Sequence, residues 1–361
     1  MIYFDANATT PLCKEAKEVM LNYFLLGPMN ASSSHTQGQK AKKKLTEARA
    51  HTAKFLKVTP DEIIFTSGGT ESMNLLIKTL LPIGKALTTE IEHPCVHNTL
   101  INCKRVKVGE LGQPTPEDIE SAIDDEVKSL VFSAVNTETG ALLDLEAVSH
   151  IALKYNLPLI IDGVGLLGKA PFSIPKGVSG MGFSGHKIHG PQGVGFCYIK
   201  LGAKKFASFQ TGGPQEKNWR AGTENLAAIM GLAAALYERP SSYLEQLRDT
   251  FEKEVLRTIP HAQVNAIGPR ISNTSNLYFE GIDGESLLIL LDQKGLMASH
   301  GSACSSGALE PSRTLLGMGY SKKRASGSIR FSFHYQNTLE EVRLACQILR
   351  DCYGSISQAM R

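Results

Sequence analysis

The run Leu157-Pro158-Leu159-Ile160-Ile161-Asp162 constrains the fold of this chain more than any other stretch. An unbroken apolar segment of strand length, closed by an acid, reads as a β-strand buried on both faces. Such strands belong to sheets that helices cover from both sides. The surroundings agree. Residues 62–66 form a short apolar strand, followed by a glycine turn and a helical pattern ending near Leu81. Residues 127–134 read as a strand and 145–155 as a helix, and 180–184 and 193–199 add two more strands. This rhythm predicts an α/β fold whose large domain has a mainly parallel sheet covered by helices.

Beyond Trp219 the pattern changes. Two helical stretches, about 222–238 and 242–257, lead into strands at 276–279 and 328–333 and helices at 285–293 and 339–352. Together these predict a smaller α/β domain. Arg239-Pro240-Ser241-Ser242 interrupts the helical run, because proline cannot continue a helix interior, and marks the boundary. At 361 residues the chain is long enough for more than one core, since single cores stop growing near ~250–300 residues.

Charge narrows the function. A net charge of +3 on 361 residues is too small to argue for nucleic-acid or membrane binding. The cluster Lys40, Lys42, Lys43, Lys44 reads as the solvated face of a helix. No secretory signal is expected at Met1-Ile2-Tyr3-Phe4, and no apolar stretch approaches the ~20 residues that would span a bilayer. The seven cysteines, at 13, 95, 103, 197, 304, 346 and 352, are odd in number and include no Cys-x-x-Cys pair. That disfavours a disulfide framework and a structural zinc site, and a cytoplasmic location is expected.

Four stretches carry chemistry. In FTSGGTESMN, residues 65–74, a strand ends, Gly68-Gly69 turns, and Thr70 opens a helix. Backbone N–H groups there suit a phosphate, although a plain turn reads the same way. Asp162 stands at the carboxyl end of a buried strand, where open α/β sheets place ligands. It either caps the next turn or pairs with a protonated ring nitrogen, since an unpaired buried charge is strongly unfavourable. In GFSGHKIHGPQGVG, residues 182–195, Lys187 follows a strand among small residues; a desolvated lysine can form a Schiff base. Phosphate anchor, buried acid and amine together match the demands of pyridoxal phosphate. The fourth stretch, SHGSACSSGALEPS, sets Cys304 among serines and glycines, with nothing nearby in sequence to pack it. Such a loop is expected to be mobile. His300 beside it is either a local base or a solvated loop histidine.

These motifs resemble the cysteine desulfurases of the NifS/IscS type, which are fold-type I pyridoxal-phosphate enzymes. The resemblance runs from Tyr3-Phe4-Asp5-Ala6-Asn7-Ala8-Thr9-Thr10-Pro11 through residues 66–72, Glu92-His93, residues 136–140, 184–187 and 220–225 to residues 328–332. Its most specific part is residues 301–307 followed by 309–312. The resemblance implies that Lys187 carries the cofactor, Asp162 holds its ring nitrogen protonated, and His93 stacks on the ring as acid or base. Gly69, Thr70, Ser184, Gly185 and His186 would grip the phosphate, with Thr223 added across a homodimer interface. Asn136 would stand near the phenolic oxygen, and Arg330 would clamp the substrate carboxylate. Cys304 would take sulfur from L-cysteine as a persulfide, releasing alanine, for a sulfur-acceptor protein in iron–sulfur cluster assembly or for tRNA thiolation. The expected division is a cofactor domain over 12–238 and a small domain formed by 1–11 and 239–361. The family's glutamine three residues after the acid is Gly165 here, and its second asparagine at 136–137 is Thr137. A related lyase or aminotransferase on another amino acid, or a cofactor-free scaffold for iron–sulfur assembly partners, are the alternative functions.

Overall fold

The computed structural model describes residues 1–237, 239–301 and 311–359. Its large sheet runs, in spatial order, Ile63–Thr66, Gly195–Ile199, Val178–Ser184, Leu159–Asp162, Val127–Ser133, Lys85–Thr89 and Cys103–Val106. The five strands from Val178–Ser184 onward are parallel, and Ile63–Thr66 and Gly195–Ile199 add antiparallel pairings at one side. The mainly parallel, helix-covered sheet is therefore as expected.

The apolar run at the sheet centre has a simple cause. Strand side chains alternate between faces, and here both faces are covered. Ile160 and Val131 pack with Met73, Leu75, Leu76 and Leu80 of the helix Gly69–Leu80. Leu159, Ile161, Leu130 and Phe132 join the opposite core with Val148 and Ile151 of the helix Leu145–Lys154. A one-sided strand would have needed polar residues at every second position.

Two strands, Lys85–Thr89 and Cys103–Val106, were not legible in the sequence. Both are short, and the second lies at the sheet edge, where Lys104 and Arg105 suit an edge that must not recruit another strand. The helix expected from about 222 begins at Leu226, capped by the Asn225 side chain, which accepts from the Ala228 N–H at 3.3 Å. It ends at Ala235, and Ser241–Thr258 starts one residue after Pro240.

Beyond this point a second sheet forms, antiparallel, in the order Ser328–Ser332, Thr274–Phe279, Ala262–Val264. The helices Ser241–Thr258, Gly284–Gln293 and Leu339–Ala359 enclose a separate core with it, centred on Phe251, Phe279, Phe331 and Leu349. The first residues of the chain enter this core as well. Ile2–Tyr3 pairs in parallel with Leu296–Met297, Asp5 bridges to Ser332, and the Phe4 ring lies 4.6 Å from that of Phe333. A few residues on, the Asn7 and Ala8 carbonyls accept hydrogen bonds from Lys187, whose turn follows a strand of the large sheet. The opening segment thus touches both cores. Among the described residues, no helix is long and apolar enough to cross a membrane.

Candidate active site

The parallel strands deliver their carboxyl ends to one place. Ser133 and Asp162 are register partners, and Asp162 faces Gly182 of the next strand, two residues before Ser184. Asp162 is buried, and its Oδ1 accepts from the Val164 N–H at 3.0 Å, so it caps a turn and does not start a helix. Burial pushes its carboxyl up, while the nearby His93 and Lys187 pull it back. A cation presented to this carboxylate would offset that desolvation.

The glycine turn stands beside it. Gly68 precedes the helix Gly69–Leu80, so its first backbone N–H groups have no intrahelical partner. A Cβ on Gly69 would lie 2.7 Å from Val164 Cγ2 and 3.5 Å from Ser184 Cβ. A Cβ on Gly195 would lie 2.6 Å from Gly68 Cα. Only hydrogen fits at these positions, and the bare backbone stays open toward Ser184. The turn is braced from behind: the Glu71 carboxylate accepts from the Ser67 N–H at 2.7 Å and from Arg220 Nε at 2.8 Å. Burial raises the Glu71 pKa, but those hydrogen bonds outweigh it, and the carboxyl titrates below its usual range. Thr70 and Thr223 are exposed, and Thr223 makes no hydrogen bond with the other candidates among the described residues.

Lys187 closes a short 3-10 turn, Gly185–Lys187, directly after Ser184. Its ammonium donates to the Ala8 carbonyl at 2.8 Å and to that of Asn7. His186 Nδ1 lies 3.2 Å from Thr9 Oγ1, and burial, with the charges of Lys187 and Lys169, pushes its pKa down to about 4. A neutral His186 can donate to an anion only through the nitrogen its neighbours leave protonated. His93 caps the short helix Pro94–His97, with Cys95 against its ring. Asn136 is heavily engaged: Oδ1 accepts from the Glu138 and Thr139 N–H groups at 3.0 Å each, and Nδ2 donates to the Ile91 carbonyl at 3.1 Å. Arg330 is buried, with its guanidinium 2.7 Å from Asp5 Oδ1 and 3.3 Å from the Thr137 carbonyl; its Nε makes no hydrogen bond among the described residues.

Four residues here received no role from the sequence, although Asn7, Glu92 and Glu138 lie in motifs that carry the resemblance. Glu92 is buried, held by Ser133 at 2.5 Å and Thr89 at 2.8 Å, and desolvation, with Asp162 nearby, lifts its pKa to about 7. Lys169 is buried with its amine 2.9 Å from Asn7 Oδ1; burial, then Lys187 and Arg330, brings it down to about 7. Asn7 thus ties Lys169 and Lys187 to one residue. Glu138 is buried and accepts from Ser312 Oγ. A Cβ on Gly301 would lie 3.8 Å from the same carboxylate, so both flanks of segment 302–310 meet at Glu138. Cys304 lies within that segment, outside the described residues. His300 is half-buried, with Nε2 3.0 Å from the Ser326 carbonyl, and is not a solvated loop histidine.

Gly165 has a physical reason. A Cβ there would lie 2.9 Å from Val135 Cβ, 3.0 Å from the Val135 carbonyl oxygen and 3.1 Å from Thr137 Cγ2. The room for a side chain at 165 is taken by this chain's own Val135 and Thr137.

The residues present fit pyridoxal phosphate: an open backbone turn for a phosphate, a buried carboxylate whose burial a ring cation would offset, and the amine of Lys187 on the turn after Ser184. Among the described residues no group of histidine, cysteine and acidic side chains could hold a metal ion. Comparisons with known proteins bear on the same site. The class-V aminotransferase family model matches residues 2–344. A cysteine desulfurase IscS from Dictyoglomus turgidum is 36% identical, over 96% of this chain and 93% of its own. A cysteine desulfurase NifS from Azotobacter vinelandii is also 36% identical, over 94% and 90%. Among solved structures, a NifS-like protein superposes with a TM-score of 0.88 at 31% identity, covering 98% of this chain and 99% of the other.

Proposed function

This chain belongs to the class-V aminotransferase family of pyridoxal-phosphate-dependent enzymes, and we propose that it is an L-cysteine desulfurase. It converts L-cysteine to L-alanine and leaves a persulfide on Cys304. The observation that carries this reading is a convergence. Lys187, Asp162 and the Gly68-Gly69 turn gather at the carboxyl ends of the parallel strands, and the flanks of the Cys304 segment meet at Glu138, two residues from Asn136.

When bound, pyridoxal phosphate supplies an electron sink that weakens bonds at the α- and β-carbons of an amino acid. The protein's residues then have separate tasks. Lys187 provides the attaching amine and afterwards moves protons. Asp162 holds a proton on the ring nitrogen, in return for a partner to its own buried charge. The start of the helix Gly69–Leu80, with Ser184, Gly185 and His186, binds the phosphate, and the Arg220–Glu71 pair keeps that turn in shape. Arg330, aligned by Asp5, binds the substrate carboxylate. The Cys304 thiolate attacks the sulfur of L-cysteine: one C–S bond breaks, one S–S bond forms, and a proton goes to the β-carbon to complete alanine.

Residues 12–238 act as the cofactor domain, with 1–11 and 239–361 as the small domain, a division supported by the two separate cores. The active unit is a cytoplasmic homodimer in which Thr223 completes the neighbour's phosphate site, and the sulfur passes to an acceptor protein such as an iron–sulfur scaffold, or to tRNA thiolation. The test is incubation with L-cysteine and a reductant, measuring alanine and sulfide together. Equal yields are expected, with Cys304→Ser still binding cofactor and releasing neither product. Keto acid or ammonia would overturn the desulfurase reading.

A further inference from the structure

His93 is held by its own short helix, and two donors converge on one of its ring nitrogens. The Cys95 backbone nitrogen lies 3.2 Å from His93 Nδ1, and the Cys95 sulfur lies 2.9 Å from the same atom. A backbone amide can only donate. Nδ1 is therefore an acceptor and carries no hydrogen, and the thiol, a weak donor in its own right, points its S–H at the same lone pair. In a neutral imidazole with a bare Nδ1, the proton resides on Nε2.

We infer that Cys95 is a positioning residue that fixes His93 as its Nε2–H tautomer, so that His93 meets cofactor and substrate as a hydrogen-bond donor and not as a base at Nε2. The inference rests on the proposed placing of His93 against the cofactor ring, and it chooses between the acid and base roles that the sequence left open. The backbone contact sets the preference, and the thiol reinforces it. A side chain at 95 without a donor removes the nearer of these two contacts to Nδ1 and keeps the amide, at a distance near the long end of N–H hydrogen bonds.

The experiment is a proton–nitrogen correlation spectrum of the histidine rings in the cofactor-loaded full chain, with His93 assigned by the signals lost in His93→Gln. The expected wild-type spectrum shows a bare Nδ1 and a protonated Nε2. In Cys95→Ala the share of that tautomer falls, and kcat for alanine formation drops several-fold with KM unchanged. Cys95→Ser, whose hydroxyl also donates, restores both. A proton on Nδ1 in the wild type overturns the inference, as does an unchanged tautomer in Cys95→Ala; should that variant fail to fold, the wild-type spectrum decides. Failure of the underlying reading has a different signature: His93→Gln would form alanine at the wild-type rate, whichever tautomer the spectrum shows.

Discussion

Replacing Glu92 by glutamine should make this protein more stable in alkali while leaving it little changed in acid. Glu92 is fully enclosed next to Asp162, and its two oxygens accept from the hydroxyls of Ser133 and Thr89, with the Ser133 backbone also close. Desolvation first, with the field of Asp162 added, raises its pKa from the ordinary 4.5 to about 7. The sign follows from proton counting. Between those values the folded state keeps a proton that the unfolded chain has released, so stability falls as pH rises through the window. Each pH unit of that gap is worth ~1.4 kcal/mol, so the full effect is about 3 kcal/mol, reached near pH 8.5. At pH 5 less than about 1 kcal/mol has been lost. Glutamine keeps the shape, and its amide can donate to Ser133 or Thr89, since hydroxyls both give and accept. Every other titrating group is common to both proteins, so their difference isolates Glu92. Urea unfolding followed by far-ultraviolet dichroism and by the single tryptophan, Trp219, at matched protein concentration, measures it. The gain from Glu92→Gln should grow steadily from pH 5 to 8.5. A constant difference across that range, or a variant less stable at pH 8.5, would show that Glu92 is ionised in the folded protein and refute the reasoning.

Two further substitutions test the site. Asp162→Asn keeps the cap on Val164 but removes the charge, so it should retain bound cofactor, seen as yellow absorbance, and lose most alanine formation; near-normal turnover would sink the assigned role. Gly165→Gln installs the glutamine typical of the family where Val135 and its carbonyl oxygen stand 2.9 and 3.0 Å from the new Cβ. Overpacking of this kind costs about 1–3 kcal/mol, so the variant should melt earlier without faster turnover, and a rise in both would contradict the geometry.

What was legible in the sequence was what local patterns encode. The buried strand ending at Asp162 announced itself because an apolar run of that length has few other uses, and the glycine turn and Lys187 each follow a strand. The strand Lys85–Thr89 was not legible because KALTT has no clear period, although its neighbours enclose it in the sheet. Lys169 was hidden for a different reason. Its partner, Asn7, is 162 positions away, and no periodicity connects a buried amine to an amide that distant. Gly165 was visible as a departure, but only the crowding by Val135 and Thr137 explains it. The premature expectation of a helix at 222 failed at Asn225, whose side chain serves the helix better as a cap than as a member.

The opening segment has a consequence for synthesis. The Asn7 backbone N–H is bonded to the Ser332 hydroxyl, 325 residues later, and Arg330 is held by Asp5 across the same span. A ribosome adding ~5–20 residues per second takes on the order of 15–60 s to cover that interval. During that time the large sheet can assemble, but the amine of Lys187 has no Asn7 and Ala8 carbonyls docked in place, because the strand that anchors them has not been made. Contacts of such separation are also the slow ones to form in refolding, since a long loop must close before they contribute. The competent site should therefore be the last part of the molecule to appear, well after most of its secondary structure. Cofactor added to the nascent chain should be captured only once residues 328–332 have emerged.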